Sequence, residues 1–339
     1  MRRIALTLAA CAVLCAPLSA ARNTLDVYFI DVEGGQATLL VTPAGESLLV
    51  DSGWPGFEGR DPMRIQDAMK KAGIQHIDYF WMTHYHTDHV GGLEDLAQKV
   101  TIKTFVDHGD NVETNPGGQK WSAAYERVRA KGKRLTLKAG DKLPLKGVDV
   151  VTVASNGSVI TKAINGGGAA NPLCAASQQR AVDPTENARS LGFLLTFGKF
   201  RFLDLGDLTW NKELEMVCPN NLLGKVDVYL TTHHGMDASG PAQIVHALAP
   251  RVTIMNNGAK KGGAVPAVQV VRSSPGLEDL WQVHFAVAGG ADNNTAADQI
   301  ANLEEKCQGN GLMFSARKDG SFDVVNLRNQ HKKSYPARR

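Results

Sequence analysis

WMTHYHTDHVGG, residues 81–92, decides how this 339-residue chain is to be read. Three histidines and an aspartate, His84, His86, Asp88 and His89, fall within six positions, after an apolar run and before Gly91-Gly92. Imidazole and carboxylate are good ligands for zinc and related divalent ions. A loop at the end of a buried strand can curl so that His84 and His86 face one ion while Asp88 and His89 face a second. The two glycines are expected to allow the sharp turn that brings backbone close to the metals.

Reading outward, IDYFWMT before the motif is a buried strand. Ahead of it, a helix is expected from Asp61 to Ala72, with Ile65, Ala68, Met69 and Ala72 on one face and Gly73 as its stop. LDVYFIDV, ATLLVT and SLLVDSG are short apolar strands separated by glycine-containing turns. After the motif, LEDLAQKV begins a helix and TIKTFVD is a short strand. The second half repeats this grammar. FLLTFGKFRFLDLGD reads as a hairpin turning at Gly198-Lys199, VDVYLTTHHG as a strand ending in His233-His234, Val245 to Leu248 as part of a helix, and RVTIMNN and WQVHFAV as strands. Strands and helices alternate in two comparable halves, an α/β pattern with no linker between them. Residues 155–189 break the rhythm, being small, polar and aperiodic. Long segments of this kind tend to be functional or disordered, and this one reads as an insertion over or beside the active face, either a substrate loop or a passive excursion.

Composition bounds the function. Hydrophobic content of 43% with 21% charge excludes general disorder, and a net charge of +3 lacks the basic footprint of a dedicated nucleic-acid binder. The start, MRRIALTLAACAVLCAPLSAARN, has two arginines, an apolar stretch and small residues at a cleavage site, which together read as a signal peptide over 1–21. Leu8-Ala9-Ala10-Cys11 offers a lipoprotein alternative, and no later segment reads as transmembrane. The expected product is an exported, periplasmic or secreted chain with one domain over 22–330 and a basic, solvated tail over 331–339. Cys174, Cys218 and Cys307 would remain after cleavage, enough for one internal disulfide with one thiol over.

The order and strand context of these groups resemble the metallo-β-lactamase-fold hydrolase superfamily. The resemblance covers roughly Leu25 to Phe285 and rests on HxHxDH at a strand end, Asp207 in LDLGD, and His233-His234 in LTTHHG. It implies a four-layer αββα sandwich of two mixed β-sheets. LDVYFIDVEGGQATLLVTPAGESLLVDSG is similar, more narrowly, to the branch of competence-type DNA-uptake proteins and bacterial phosphorylcholine esterases. Their "DVGQGD"-like turn is approximated here by Asp31 to Ala37.

The resemblance implies two zinc ions, or other divalent metals, held by His84, His86, Asp88, His89, Asp207 and His234, with His233 as the alternative to His234. Asp207 would bridge the ions, and Asp51 would orient the motif loop, unless it merely makes an Asx turn. The family's usual third histidine, in an HTxG-like turn ahead of the bridging aspartate, has no counterpart. His108 is the one histidine between His89 and His233 and becomes the expected third imidazole of the first ion. His76, His246, His284 and His331 default to packed or solvated roles, although Gln282 shares a strand face with His284.

Two ions about 3.5–4 Å apart lower the pKa of a bridging water, polarise the electrophile and take up leaving-group charge, with Asp88 or Asp207 orienting the attacking hydroxide. Hydrolysis is therefore the implied reaction, on small-molecule or envelope-polymer substrates. The branch favours phosphoesters or phosphodiesters. A β-lactamase or lactonase is the alternative, and a non-catalytic metal-binding module the remaining one. Trp54 and Trp121 could wall a pocket.

Overall fold

The computed structural model describes residues 22–338; the signal peptide and lipoprotein readings over 1–21 lie outside the described residues. Two nine-stranded sheets carry the architecture. The first runs, in spatial order, Lys332–Tyr335, Phe322–Asn326, Leu312–Ala316, Leu25–Phe29, Thr38–Val41, Ser47–Val50, His76–Trp81, Thr101–Asp107 and Lys133–Thr136. It is antiparallel up to Ser47–Val50 and parallel beyond it. The second places Ile300–Asn302, Asp279–His284, Val252–Met255, Val228–Leu230 and Phe200–Asp204 in parallel, then Gly192–Phe197, Asp149–Ser155 and Lys142–Leu143 antiparallel, with Ser158–Val159 as a ninth strand on Asp149–Ser155.

Strand periodicity explains the layers. Val27, Phe29, Leu40, Leu48, Val50 and Trp81 point inward from the first sheet. They meet Phe193, Leu195, Phe202, Val228, Ile254 and Trp281 of the second in one core. The alternate residues Tyr28, Leu39, Leu49, Ile77 and Phe80 face outward and are covered by the helices Arg60–Ala72 and Pro116–Arg129. Leu194, Leu203 and Tyr229 are covered in the same way by Trp210–Val217, Ala242–Leu248 and Val265–Arg272. Helix, sheet, sheet and helix layers follow, and the central strands read as unbroken apolar runs because both of their faces are buried. No helix among the described residues is long and apolar enough to cross a membrane.

Phe202 sits at the middle of the inner core, with ring centroids 6.0 Å from Phe29, 6.0 Å from Phe193 and 5.5 Å from Phe314. Phe202→Ala is expected to cost about 3–5 kcal/mol, the usual range for removing a buried phenyl ring. Denaturant unfolding measures it, and a loss below about 1 kcal/mol would mean that the two sheets do not share a tight core.

The end of the chain departs from the sequence reading. Lys332–Tyr335 is an edge strand antiparallel to Phe322–Asn326, not a solvated tail. Its Tyr335 is buried against Phe322, while Lys332 and Lys333 stay exposed. Charge on an edge strand blocks sheet-to-sheet pairing, so one composition serves both readings. Segment 155–189 also has structure: short strands at Ser158–Val159 and Ala169–Ala170, and single turns at Pro172–Ala176 and Glu186–Arg189. It is tied down by a Cys174–Cys218 disulfide, which leaves Cys307 as the free thiol among the described residues.

Candidate metal centre

The motif loop leaves the strand His76–Trp81 between the two sheets, and Asp51 at the end of Ser47–Val50 braces it. Asp51 accepts Thr83 N at 2.8 Å, Thr83 Oγ1 at 2.7 Å and His89 Nδ1 at 2.7 Å. Thr83 gives its one hydroxyl proton to Asp51, so His84 Nδ1, 3.0 Å from Thr83 Oγ1, is left as the donor of that pair. Nε2 of His84 is thereby left as a lone-pair nitrogen turned inward. Nε2 of His89 faces inward too, and against the effect of burial Asp207, Asp88 and Asp51 hold that imidazole well above its ordinary range. Gly91 and Gly92 act differently from expectation. Both have ordinary right-handed helical angles, and what Gly92 permits is close approach, since a Cβ there would run into Ser52 O.

Asp207 enters from the second sheet through the turn after Phe200–Asp204. Asp204 shapes that turn by accepting Gly206 N at 3.0 Å and Gln36 Nε2 at 2.8 Å. His233 and His234 both have φ near +56°, a left-handed conformation that is costly for non-glycine residues and tends to mark functional sites. His233 N donates to Gly206 O at 2.9 Å, and Gly263 N to His234 O at 3.0 Å. Gly262 is needed there, because a side chain would strike His234 O.

Asp88, His89, Asp207 and His234 converge, with one ligand atom from each within 4.8 Å of all the others. His89 Nε2 is 3.2 Å from both Asp88 Oδ2 and Asp207 Oδ2, and His234 Nε2 is 3.3 Å from both carboxylates. These approaches lack hydrogen-bond alignment, and the Nε2 atoms of His84, His89 and His234 are buried without a hydrogen-bond partner, as is Asp207 Oδ1. Burial opposes ionisation of the two aspartates. His89 beside Asp88, and His234 with His89 beside Asp207, outweigh it and hold both carboxyls well below their usual range. Burial, then His89 and His86, hold His84 well below the ordinary imidazole range, so it is neutral. Inward, unpartnered ring nitrogens around two buried carboxylates form a donor set that fits a divalent cation, which would displace the proton held by His89.

The other expected ligands are distributed as follows. His84 Nε2 is 4.0 Å from Asp207 Oδ2, and its ring lies 4.6 Å from that of His86. His86 donates Nε2 to Glu113 Oε1 at 2.8 Å, which leaves Nδ1 free. His233 Nε2 is 3.4 Å from Asp207 Oδ2, beside the cluster rather than in it. His108 does not join this set. It is buried, but its Nε2 is spent on Glu186 Oε2 at 3.0 Å and its ring stands edge-on to Tyr85. Its Nδ1 is buried without a partner, so the Nε2 bond to Glu186 leaves the same lone-pair nitrogen that the Nε2 bond to Glu113 leaves on His86.

Three residues at the site were not singled out from the sequence. Glu113 and Glu186 are the carboxylates just described, and Lys261 donates to Asp88 while its ammonium lies 5.1 Å above the Trp54 ring. The pair Lys260-Lys261 before Gly262-Gly263 was the available signal for the last. Trp121 packs in the outer core instead of lining a pocket. His284 has a structural partner, donating to Asp31 Oδ1 at 2.7 Å, whereas Gln282 bonds Asn294 and Thr295. Asp31, Glu33, His284 and Cys307 also converge, but Arg64 donates into them, 2.8 Å from Asp31 and 3.4 Å from Glu33, and occupies the place of a cation. Cavities of about 1340 and 770 Å³ contain none of the four converging residues. Ligand geometry, not cavity size, identifies the centre.

Glu213 supports the same loop, its Oε2 accepting Gly240 N at 2.6 Å. Burial pushes its carboxyl up to about 8 from an ordinary 4.5. The native state thus keeps a proton that the unfolded chain releases above about pH 4.5. The associated stability is full below that pH and is lost as pH rises through about 8. Glu213→Gln should flatten this loss, so denaturation midpoints of variant and wild type should diverge from about pH 4.5 to about pH 8, the variant gaining on wild type, and run parallel above that. Profiles parallel over the whole range would show that Glu213 is already ionised in the fold.

Residues 30–166 match the family model of the metallo-beta-lactamase superfamily. The two-sheet sandwich and the convergence of Asp88, His89, Asp207 and His234 agree with that match. A UPF0173 metal-dependent hydrolase of Herpetosiphon aurantiacus is 38% identical over 66 residues, 20% of this chain and 25% of that protein. The chain thus spans only about a quarter of the length of this curated relative. Among solved structures, the metallo-beta-lactamase fold protein YhfI from Bacillus subtilis aligns at 12% identity and TM-score 0.45, covering 77% of this chain and 96% of that one. A diphosphatase from the PhnP family aligns at 13% identity and TM-score 0.42, covering 86% and 98%. CmlA, a diiron beta-hydroxylase from Streptomyces venezuelae, aligns at 17% identity and TM-score 0.38, covering 69% and 44%.

Proposed function

We propose that this chain is an exported metal-dependent hydrolase with two divalent ions, zinc by donor type, acting on phosphoesters or phosphodiesters of small molecules or envelope polymers. The observation that carries this reading is the convergence of Asp88, His89, Asp207 and His234 with inward, unpartnered ring nitrogens. These four would hold one ion. His84, His86 and the shared Asp207 would hold the other, with His108, whose Nδ1 is buried and unpartnered, or His233 as the third imidazole. When bound, such ions make a water nucleophilic at neutral pH and polarise the electrophile.

The chain's own groups do the rest. Asp51 and Thr83 keep His84 and His89 in the tautomers that face inward. Asp88 and Asp207 remain ionised and can accept a proton from an attacking water. Lys261 places an ammonium beside Asp88, where it would meet an anionic substrate oxygen and favour phosphate over a neutral ester. Trp54 supports that ammonium from below. The Cys174–Cys218 bridge supports an oxidising compartment, in line with the leader read over 1–21.

Purified mature protein should contain about two zinc-like ions per chain, the number a two-metal site requires. It should hydrolyse bis-p-nitrophenyl phosphate or p-nitrophenyl phosphorylcholine in preference to nitrocefin and a simple lactone. Turnover of nitrocefin or the lactone without phosphodiester turnover would replace the phosphoester reading. A folded, zinc-supplied protein that holds no metal would overturn the enzyme reading altogether.

A further inference from the structure

Segment 155–189 reaches the metal loop through one side chain. Glu186 is fully buried, and a buried carboxylate is costly unless donors surround it. Its Oε1 accepts Val112 N at 2.8 Å, and its Oε2 accepts Tyr85 N at 3.3 Å and pairs with His108 Nε2 at 3.0 Å. Tyr85 stands between His84 and His86, so the bond to its N–H holds the backbone from which both imidazoles project. Glu186 also acts through its own backbone, its N–H donating at 3.2 Å to Glu113 Oε1, the oxygen that receives His86 Nε2 at 2.8 Å.

The consequence for His86 is chemical. With Nε2–H given to Glu113, the ring presents Nδ1 as its lone-pair nitrogen, and Glu113 in turn is oriented by the residue 186 backbone. His108 is the third donor that satisfies Glu186, and its Nδ1 stays buried and unpartnered.

We infer that Glu186 is a positioning residue of the metal centre: through Tyr85 and Glu113 it sets the His84 backbone and the His86 ring, so that ion binding by the His84–His86 half depends on segment 155–189. The inference rests on the two-ion reading proposed above. The segment is then a structural part of the site, not an excursion beside it. Carboxylates that orient metal-binding histidines typically contribute 10–100-fold to metal affinity, and the effect here should fall on one ion only.

The test is cobalt(II) titration of the mature, disulfide-bonded chain after chelator treatment, followed by visible absorption and calorimetry. Glu186→Gln keeps the shape but turns an amide N–H towards donors. Wild type should take up two cobalt ions. The variant should keep the ion of the Asp88–His89–Asp207–His234 set unchanged and bind the other about 10–100-fold more weakly. Glu113→Ala should do the same, and Glu113→Gln, which still offers an oxygen to His86, should recover most of the loss. A merely structural role would weaken both ions together along with the thermal midpoint, and that result overturns the inference. So does a folded Glu186→Gln protein with wild-type affinity at both ions. If Glu186 variants do not fold, Glu113→Ala decides, and unchanged binding of the second ion overturns the proposal. A wild type that binds a single ion removes the two-ion reading and this inference with it, whereas two ions in wild type and in every variant removes the inference alone.

Discussion

Asp207→Ala is expected to abolish hydrolysis and to strip both ions, leaving the fold largely intact. The carboxylate is the one group that approaches both halves of the site. Its Oδ2 lies 3.2 Å from His89 Nε2 and 4.0 Å from His84 Nε2, and its Oδ1 lies 3.3 Å from His234 Nε2. Loss of groups that only orient ligands already costs about 10–100-fold, so loss of a shared ligand should exceed that in affinity for each ion. Its position on a turn outside the strand Phe200–Asp204 keeps it out of the core, and circular dichroism should show little change. Zinc analysis after gel filtration measures the effect. A variant that retains about two ions would show that Asp207 does not serve as the bridge that two-metal chemistry requires.

The neighbouring histidines separate in a second experiment. His234 is fully buried, and its Nε2 is equidistant from Asp88 and Asp207 at 3.3 Å. His233 reaches Asp207 alone, at 3.4 Å, and its other nitrogen lies 3.4 Å from Ser239 Oγ. His234→Ala should therefore release the ion of the Asp88–His89 set and reduce turnover by more than about 100-fold, again taking orienting groups as the lower bound. His233→Ala should leave that ion in place and weaken only the His84–His86 half. Both substitutions also remove a side chain from a left-handed backbone position, where alanine is no better tolerated than histidine. Backbone strain thus cannot produce the difference. If His233→Ala releases the Asp88–His89 ion while His234→Ala spares it, the two roles are exchanged.

Much of the architecture was legible because it is written in short-range pattern. Ser47–Val50 and His76–Trp81 are central strands whose apolar runs need no knowledge of their neighbours. Ile65, Ala68, Met69 and Ala72 mark the buried face of one helix by spacing alone. The metal loop was legible for the same reason, since His84, His86, Asp88 and His89 are contiguous and residue type limits their chemistry. Asp51, Asp207 and His234 each stand at the end of an apolar strand, where a parallel sheet delivers side chains to a common edge.

Periodicity and ligand chemistry within a few residues therefore specify the two-sheet class, the motif loop and the strand-end groups. Only the tertiary structure decided the partner of each polar group. The carboxylate that fixes the His108 ring, Glu186, lies 78 positions away in an aperiodic segment. Lys261 meets Asp88 across 173 positions, and Cys174 finds Cys218 across 44. The basic residues of Lys332–Tyr335 become a strand because Phe322–Asn326 offers an open edge. A hydrogen bond or ion pair is satisfied by whichever group the fold brings within about 3 Å, and sequence spacing carries no record of that meeting.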